Sequence, residues 1–113
     1  WHKAEGSTTE GLPVRFTTRS NALYAIVLGH PQGFSLTIPD VDARRIPRQR
    51  RRGDHLEVSF PGYRVPVEWR ISRRRLHVMV PGSILPGPAL VIELRWVVPG
   101  EPPPADNFYV DLL

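Results

Sequence analysis

The chain contains no cysteine. That excludes disulfide staples, thiolate nucleophiles and cysteine-held zinc, and it leaves the compartment open. Lysine is almost as scarce, Lys3 standing alone against fourteen arginines. No apolar run approaches the length of a membrane-crossing helix, and no basic-then-apolar leader opens the chain, so neither a membrane nor a targeting segment is expected. The first residue is Trp1 rather than Met, which suggests a processed chain or a fragment of something larger. A glycine-rich phosphate loop is missing too, because the nine glycines are scattered among thirteen prolines.

What is present suits a folded domain. A length of 113 residues makes one domain, long enough to bury about two-thirds of its unfolded surface. Hydrophobic content of 41% and charged content of 23% argue against wholesale disorder. The prolines and glycines cut the chain into short segments, which favours strands over long helices.

The stretch 14–31 organises the rest. Phe16 points one way while Arg15 and Thr17 point the other, the period-2 signature of a half-buried strand. Ser20-Asn21 supplies a turn, since short polar side chains bond their own backbone and tolerate left-handed dihedrals. The return segment 22–28 is apolar on both faces and carries Tyr24, Ile26 and Val27, so it is expected at the centre of a sheet, covered on both sides. Gly29 and Pro31 end it.

Further short strands follow. Phe34, Leu36 and Ile38 share one face, and Pro39-Asp40 ends that segment. Residues 40–53 read as an exposed loop or edge strand, with Pro47 interrupting any helix and charge discouraging edge pairing. Leu56, Val58 and Phe60 then alternate inward, as do Val67, Trp69 and Ile71, and Leu76, Val78 and Val80. The longest strand is expected over 89–98, with Leu90, Ile92, Leu94 and Trp96 inward. So many short strands with turn signals between them mean a sandwich or a barrel, not a parallel α/β fold. After a Pro-rich stretch at 99–106, Phe108, Val110 and Leu112 alternate again, as an extra edge strand would.

The search for chemistry returns little. Glycoside hydrolysis needs two carboxylates roughly 5–10 Å apart. Glu57, Glu68 and Glu93 instead occupy outward strand positions, where a solvated cross-strand partner of arginine is the expectation. His2, His30, His55 and His77 are isolated from one another and from carboxylates at any spacing diagnostic of a metal, so no metal and no cofactor is expected. Ser83 lacks the glycines of a nucleophile elbow. Trp69 and Trp96 fall on inward positions and read as core.

Phe-Thr-Thr-Arg at 16–19 followed by Leu-Tyr-Ala-Ile-Val-Leu-Gly-His-Pro at 23–31 resembles the opening of the C-terminal β-sandwich domain of bacterial family 29 α-L-fucosidases. The family's usual pattern there is Phe-Thr-Thr-Lys or Arg, a short turn, Leu-Tyr-Ala-Ile, then Leu-Gly-Trp-Pro. Ala4-Glu5-Gly6-Ser7-Thr8 resembles its Gly-Glu-Gly-Pro-Thr linker, and Val67-Glu68-Trp69-Arg70 with Leu76-His77-Val78-Met79-Val80-Pro81 resembles two later strands. The likeness covers roughly residues 1–98, with His30 where the family usually has Trp and no counterpart for the tail beyond Val98.

The resemblance implies an all-β fold, an antiparallel β-sandwich of about seven to eight strands of the immunoglobulin-like, Greek-key type. It divides the chain into a linker from a missing catalytic domain over 1–13, the sandwich over 14–98 and a tail over 99–113. The expected role is that of a non-catalytic accessory domain packed on a (β/α)8-type catalytic barrel, since the family's nucleophile and acid lie in that upstream barrel. Tyr24, His30 and Tyr63 are the candidates for an interdomain or sugar-pocket contact, because loops at sandwich ends carry recognition.

Two other readings stand beside it. The same sandwich could act alone as a carbohydrate-binding module taking fucosylated glycans. The net charge of +4 and pI near 10.3 invite a nucleic-acid reading carried by Arg44, Arg45, Arg48, Arg50, Arg51 and Arg52. That run lacks the interleaved aromatics of single-strand binders, and an arginine bias with abundant proline equally reflects codon composition. A solvated face, or contact with an acidic surface of the missing domain, is therefore the expectation for it.

Overall fold

A computed structural model describes residues 5–19, 21–41, 43–47 and 53–97. Arg48, Arg50, Arg51 and Arg52 lie outside the described residues, as does the tail alternation of Phe108, Val110 and Leu112.

The chain forms β1 (Glu5–Ser7), β2 (Pro13–Arg19), β3 (Ala22–Val27), β4 (Ser35–Pro39), β5 (His55–Ser59), β6 (Trp69–Ser72), β7 (Arg75–Met79) and β8 (Leu90–Val97), with a single 3-10 turn at Ala43–Arg45 among the described residues. A five-stranded sheet runs β1-β2-β3-β8-β5 and a three-stranded sheet runs β4-β7-β6, every pairing antiparallel. The two inner faces meet in one core that includes Phe16, Leu36, Ile38, Phe60, Ile92 and Leu94. This is the antiparallel β-sandwich expected from the alternation. Apart from the fully exposed β1, the strands feed one side of the pleat inward, as β8 shows by alternating buried and half-buried positions along its whole length.

Several details differ from the expectation. β3 lies inside its sheet between β2 and β8, with Leu23, Ala25 and Val27 buried inward. Its other face is not covered: Tyr24 and Ile26 are half-buried and Leu28 is exposed. Sandwiching supplies cover on one side only, so the apolar outer positions of β3 reach the surface of this chain. Phe34 does not join Leu36 and Ile38 in the core, because β4 begins one residue later and leaves the ring outside. Residues 5–7, in the polar lead-in, add an edge strand to β2.

The segment expected to be an exposed loop or edge strand is anchored at two points. Val41 and Ile46 are buried on either side of the 3-10 turn. Arg45 lies over the Phe16 ring at 4.1 Å from its centroid and donates from Nη1 to the Asp40 carbonyl at 2.9 Å. A guanidinium over an aromatic face gains from the ring quadrupole while its stem shields apolar surface.

Candidate functional site

Register decides what the solvent face of the three-stranded sheet presents. Thr37 is opposite His77, and His77 is opposite Arg70, so these residues form one row across β4, β7 and β6. The next row places Ser35 opposite Met79, whose N–H donates to the Glu68 carbonyl at 2.9 Å. Antiparallel neighbours in register have Cβ atoms about 4.5–5.5 Å apart. The row is therefore a contact surface built from residues that are far apart in sequence.

A groove of about 360 Å³ lies along these rows, lined by Thr37, Glu68, Trp69, Arg70, His77 and Met79 among others. Its size falls at the small end of the range for ligand sites. Thr37 Oγ1 and His77 Nδ1 are hydrogen-bonded at 3.2 Å, which fixes the imidazole plane and leaves Nε2 as the ring's second polar atom. Glu68 and Arg70 are both exposed, and neither makes an ion pair or side-chain hydrogen bond among the described residues. Trp69 packs against the core as expected but is half-buried, because β6 is an edge strand of four residues.

A second feature concerns the ends of the sandwich. β3 finishes where β8 starts, with Val27 opposite Leu90. β4 starts where β7 finishes, with Ser35 opposite Met79. The connections 28–34, 60–68 and 80–89 therefore gather at one end, joined by the β1–β2 turn, whose Thr9 N–H donates to the Thr37 carbonyl at 2.9 Å. The large apolar side chains exposed among the described residues all belong to this end: Leu28 at 39%, Phe34 at 69%, Met79 at 44% and Leu85 at 74%. The opposite end is basic. It holds Arg19, Arg44 and the Arg73-Arg74 turn between β6 and β7.

These placements sort the residues singled out from the sequence. His30 and Tyr63 come to the apolar end, both half-buried, with Tyr63 packed against the core and its N–H donating to the Phe60 carbonyl at 3.0 Å. Tyr24 does not join them: it stands on the outer face of the five-stranded sheet, between Thr17 and Glu93. Arg44 is exposed at the basic end, whereas Arg45 is engaged with Phe16. Periodicity identified Glu68, Arg70 and His77 as outward residues, but not as neighbours in a groove. The cross-strand register that joins them is not written in any one segment.

The carboxylates do not assemble a hydrolytic pair. Glu93 Oε1 lies 3.8 Å from Arg95 Nε, and Glu57 is the register partner of Arg95 in the adjacent strand. Glu68 belongs to the other sheet. Among the described residues no group of three His, Cys, Asp or Glu could hold a metal ion, and no helix is long and apolar enough to cross a membrane.

No family model matches the chain, and no curated protein matches it either. Solved structures do. The chain is similar to the Thermotoga maritima α-fucosidase in complex with fucose, at 24% identity and a TM-score of 0.62, over 83% of this chain and 20% of that one. It is similar to the same enzyme in complex with a mechanism-based inhibitor, at 25% identity and a TM-score of 0.61, over 84% and 20%. A further structure described as an α-L-fucosidase matches at 25% identity and a TM-score of 0.61, again over 84% and 20%. Sequence pattern and fold agree that this chain resembles the β-sandwich domain of bacterial α-L-fucosidases, spanning about one fifth of such a protein.

Proposed function

We propose that this chain is the non-catalytic, C-terminal accessory domain of an α-L-fucosidase, a glycoside hydrolase, and that it packs on the catalytic barrel of its parent protein. The observation that carries the reading is the asymmetry of coverage: 83% of this chain corresponds to only 20% of a fucosidase. The greater part of such an enzyme, with room for a barrel, lies elsewhere. Consistent with that division, Glu93 lies beside Arg95 on one sheet while Glu68 lines a groove on the other, so the two do not face each other across a cleft.

The apolar end is the surface this role requires. Leu28, Phe34, Met79 and Leu85 converge there from different loops and strands, with His30 and Tyr63 beside them. Exposed apolar side chains gathered on one side of a small domain mark a place where another surface is meant to lie. An interdomain contact also explains why these loops carry bulky apolar residues where solvent-exposed turns would carry polar ones.

The test begins with the coding region upstream of residue 1, which should encode several hundred residues with a glycosidase barrel. The protein expressed from the complete region should hydrolyse an aryl α-L-fucoside, and the 113-residue chain alone should not. Placing aspartate at Phe34 and Leu85 in the complete protein should then shorten its half-life on heating. Hydrolysis by the isolated chain, or a complete region lacking any barrel, overturns the reading.

A further inference from the structure

The groove on the solvent face of the three-stranded sheet meets the apolar end only at Met79 and belongs to no catalytic constellation. We infer that it is a binding site for a neutral sugar ring, with Arg70 and Glu68 as its paired hydrogen-bonding arms. The inference stands on the groove itself and not on the accessory-domain reading above.

Charge selects the ligand class. Arg70 is a five-donor cation and Glu68 an acceptor-only anion; both line the same groove two residues apart and neither is paired to another side chain among the described residues. A free anion would be attracted by one and repelled by the other, and a cation likewise. A hydroxyl satisfies both at once, because it donates to a carboxylate and accepts from a guanidinium. Adjacent hydroxyls on one ring can engage the two arms together.

The remaining lining fits the same ligand. Thr37 adds a hydroxyl, and the Thr37–His77 bond presents an oriented imidazole in the row beside Arg70. Met79 supplies apolar surface on which the C–H face of a sugar ring can rest, and Trp69 lines the groove while its side chain packs against the core. The volume of about 360 Å³ suits one or two sugar units and not an extended polymer. Such shallow, mostly solvent-exposed sites bind weakly, so affinity in the millimolar range is expected, corresponding to roughly −4 kcal/mol.

The experiment uses the 15N-labelled 113-residue chain and follows amide and indole resonances during titration with L-fucose, D-galactose and D-glucuronate. Saturable shifts at Trp69, Arg70, His77 and Met79 with the neutral sugars are expected. Glu68→Ala and Arg70→Ala should each weaken that binding about tenfold, the loss of a hydrogen bond to a charged group. Both positions are exposed, so the variants should keep dispersed spectra; Glu68→Gln replaces the alanine variant if one does not. Absence of saturation with every neutral sugar overturns the inference, as do shifts confined to the apolar end or affinity indifferent to both variants. Preferential binding of glucuronate, tightened by Glu68→Ala, would make the groove an anion site and also overturn it. None of these outcomes bears on whether the coding region holds a barrel, so the two readings fail separately.

Discussion

At Arg73 and Arg74 the backbone φ angles are 53° and 62°. These two residues form the whole connection between β6 and β7, whose flanking Ser72 and Arg75 are paired. Positive φ at both central positions is the signature of the type I′ turn, whose twist matches that of the strands it joins. Arginine carries a Cβ that crowds the carbonyl in this region, a cost of roughly 1–2 kcal/mol per residue. The turn is nevertheless held, because the β6–β7 ladder fixes its ends and Val41 N–H donates to the Arg74 carbonyl at 3.0 Å. Replacing Arg73-Arg74 by Asn-Gly should stabilise the chain by about 1 kcal/mol net of the lost Arg74 side-chain contact. Thermal denaturation should show a midpoint about 4–8 °C higher. A midpoint unchanged or lowered would mean that the strain is already relieved elsewhere.

At the scale of the element, β8 is the member on which the sandwich depends. It pairs with β3 on one side and β5 on the other, and it sends Leu90, Ile92, Leu94 and Trp96 into the core. Ile92 and Leu94 are fully buried at 0% exposure, so truncation leaves a cavity walled by both sheets. Ile92→Ala should cost about 2–5 kcal/mol, against a total of roughly 5–15 kcal/mol for a domain. Urea titration reads this as a lower midpoint at unchanged slope. The slope matters, since a shallower one would mean that β8 detaches before the rest unfolds. The edge strand β6 contrasts with it: its outward Arg70 and Ser72 and its short length suit an edge that must not recruit a second chain.

Over the whole molecule, the exposed large apolar side chains among the described residues lie at one end of the sandwich and a group of arginines at the other, although Arg64 sits in the connection 60–68 at the apolar end. The connections 28–34 and 80–89 carry the exposed Phe34 and Leu85, while Arg19, Arg44, Arg73 and Arg74 gather at the other end. Without a partner domain the apolar end should drive weak self-association of the isolated chain, measurable by sedimentation as concentration rises. Phe34→Asp with Leu85→Asp should abolish it while moving the unfolding free energy by no more than about 0.5 kcal/mol per site, the usual effect of exposed substitutions. Association that survives the double variant would place the sticky surface elsewhere, with the outer face of β3 around Tyr24 and Ile26 the next region to test.

Strand positions and their inward residues were legible in the sequence wherever the alternation was clean. Leu56, Val58 and Phe60 turned inward as expected, as did Leu76, Val78 and Val80. Phe34 was not legible, because hydropathy cannot tell whether a ring at a strand terminus meets a partner within the chain. The 3-10 turn was hidden by its arginines: its burial comes from Val41 and Ile46 and from the Arg45–Phe16 stack, a contact between distant segments.

The sequence by itself determined an all-β chain of short strands, the side of each strand that faces the core, and the likeness to a fucosidase domain. The strands and their inward sides follow from period-2 burial and turn chemistry, which are local, and the likeness rests on the resemblance of the motifs at 16–31, 67–70 and 76–81. The tertiary structure alone decided that Thr37, His77 and Arg70 form one row, that Glu68 shares their groove, and that exposed apolar residues from separate connections meet at one end. Each depends on cross-strand register and on which loop ends coincide, and these are set only when two sheets close on a common core.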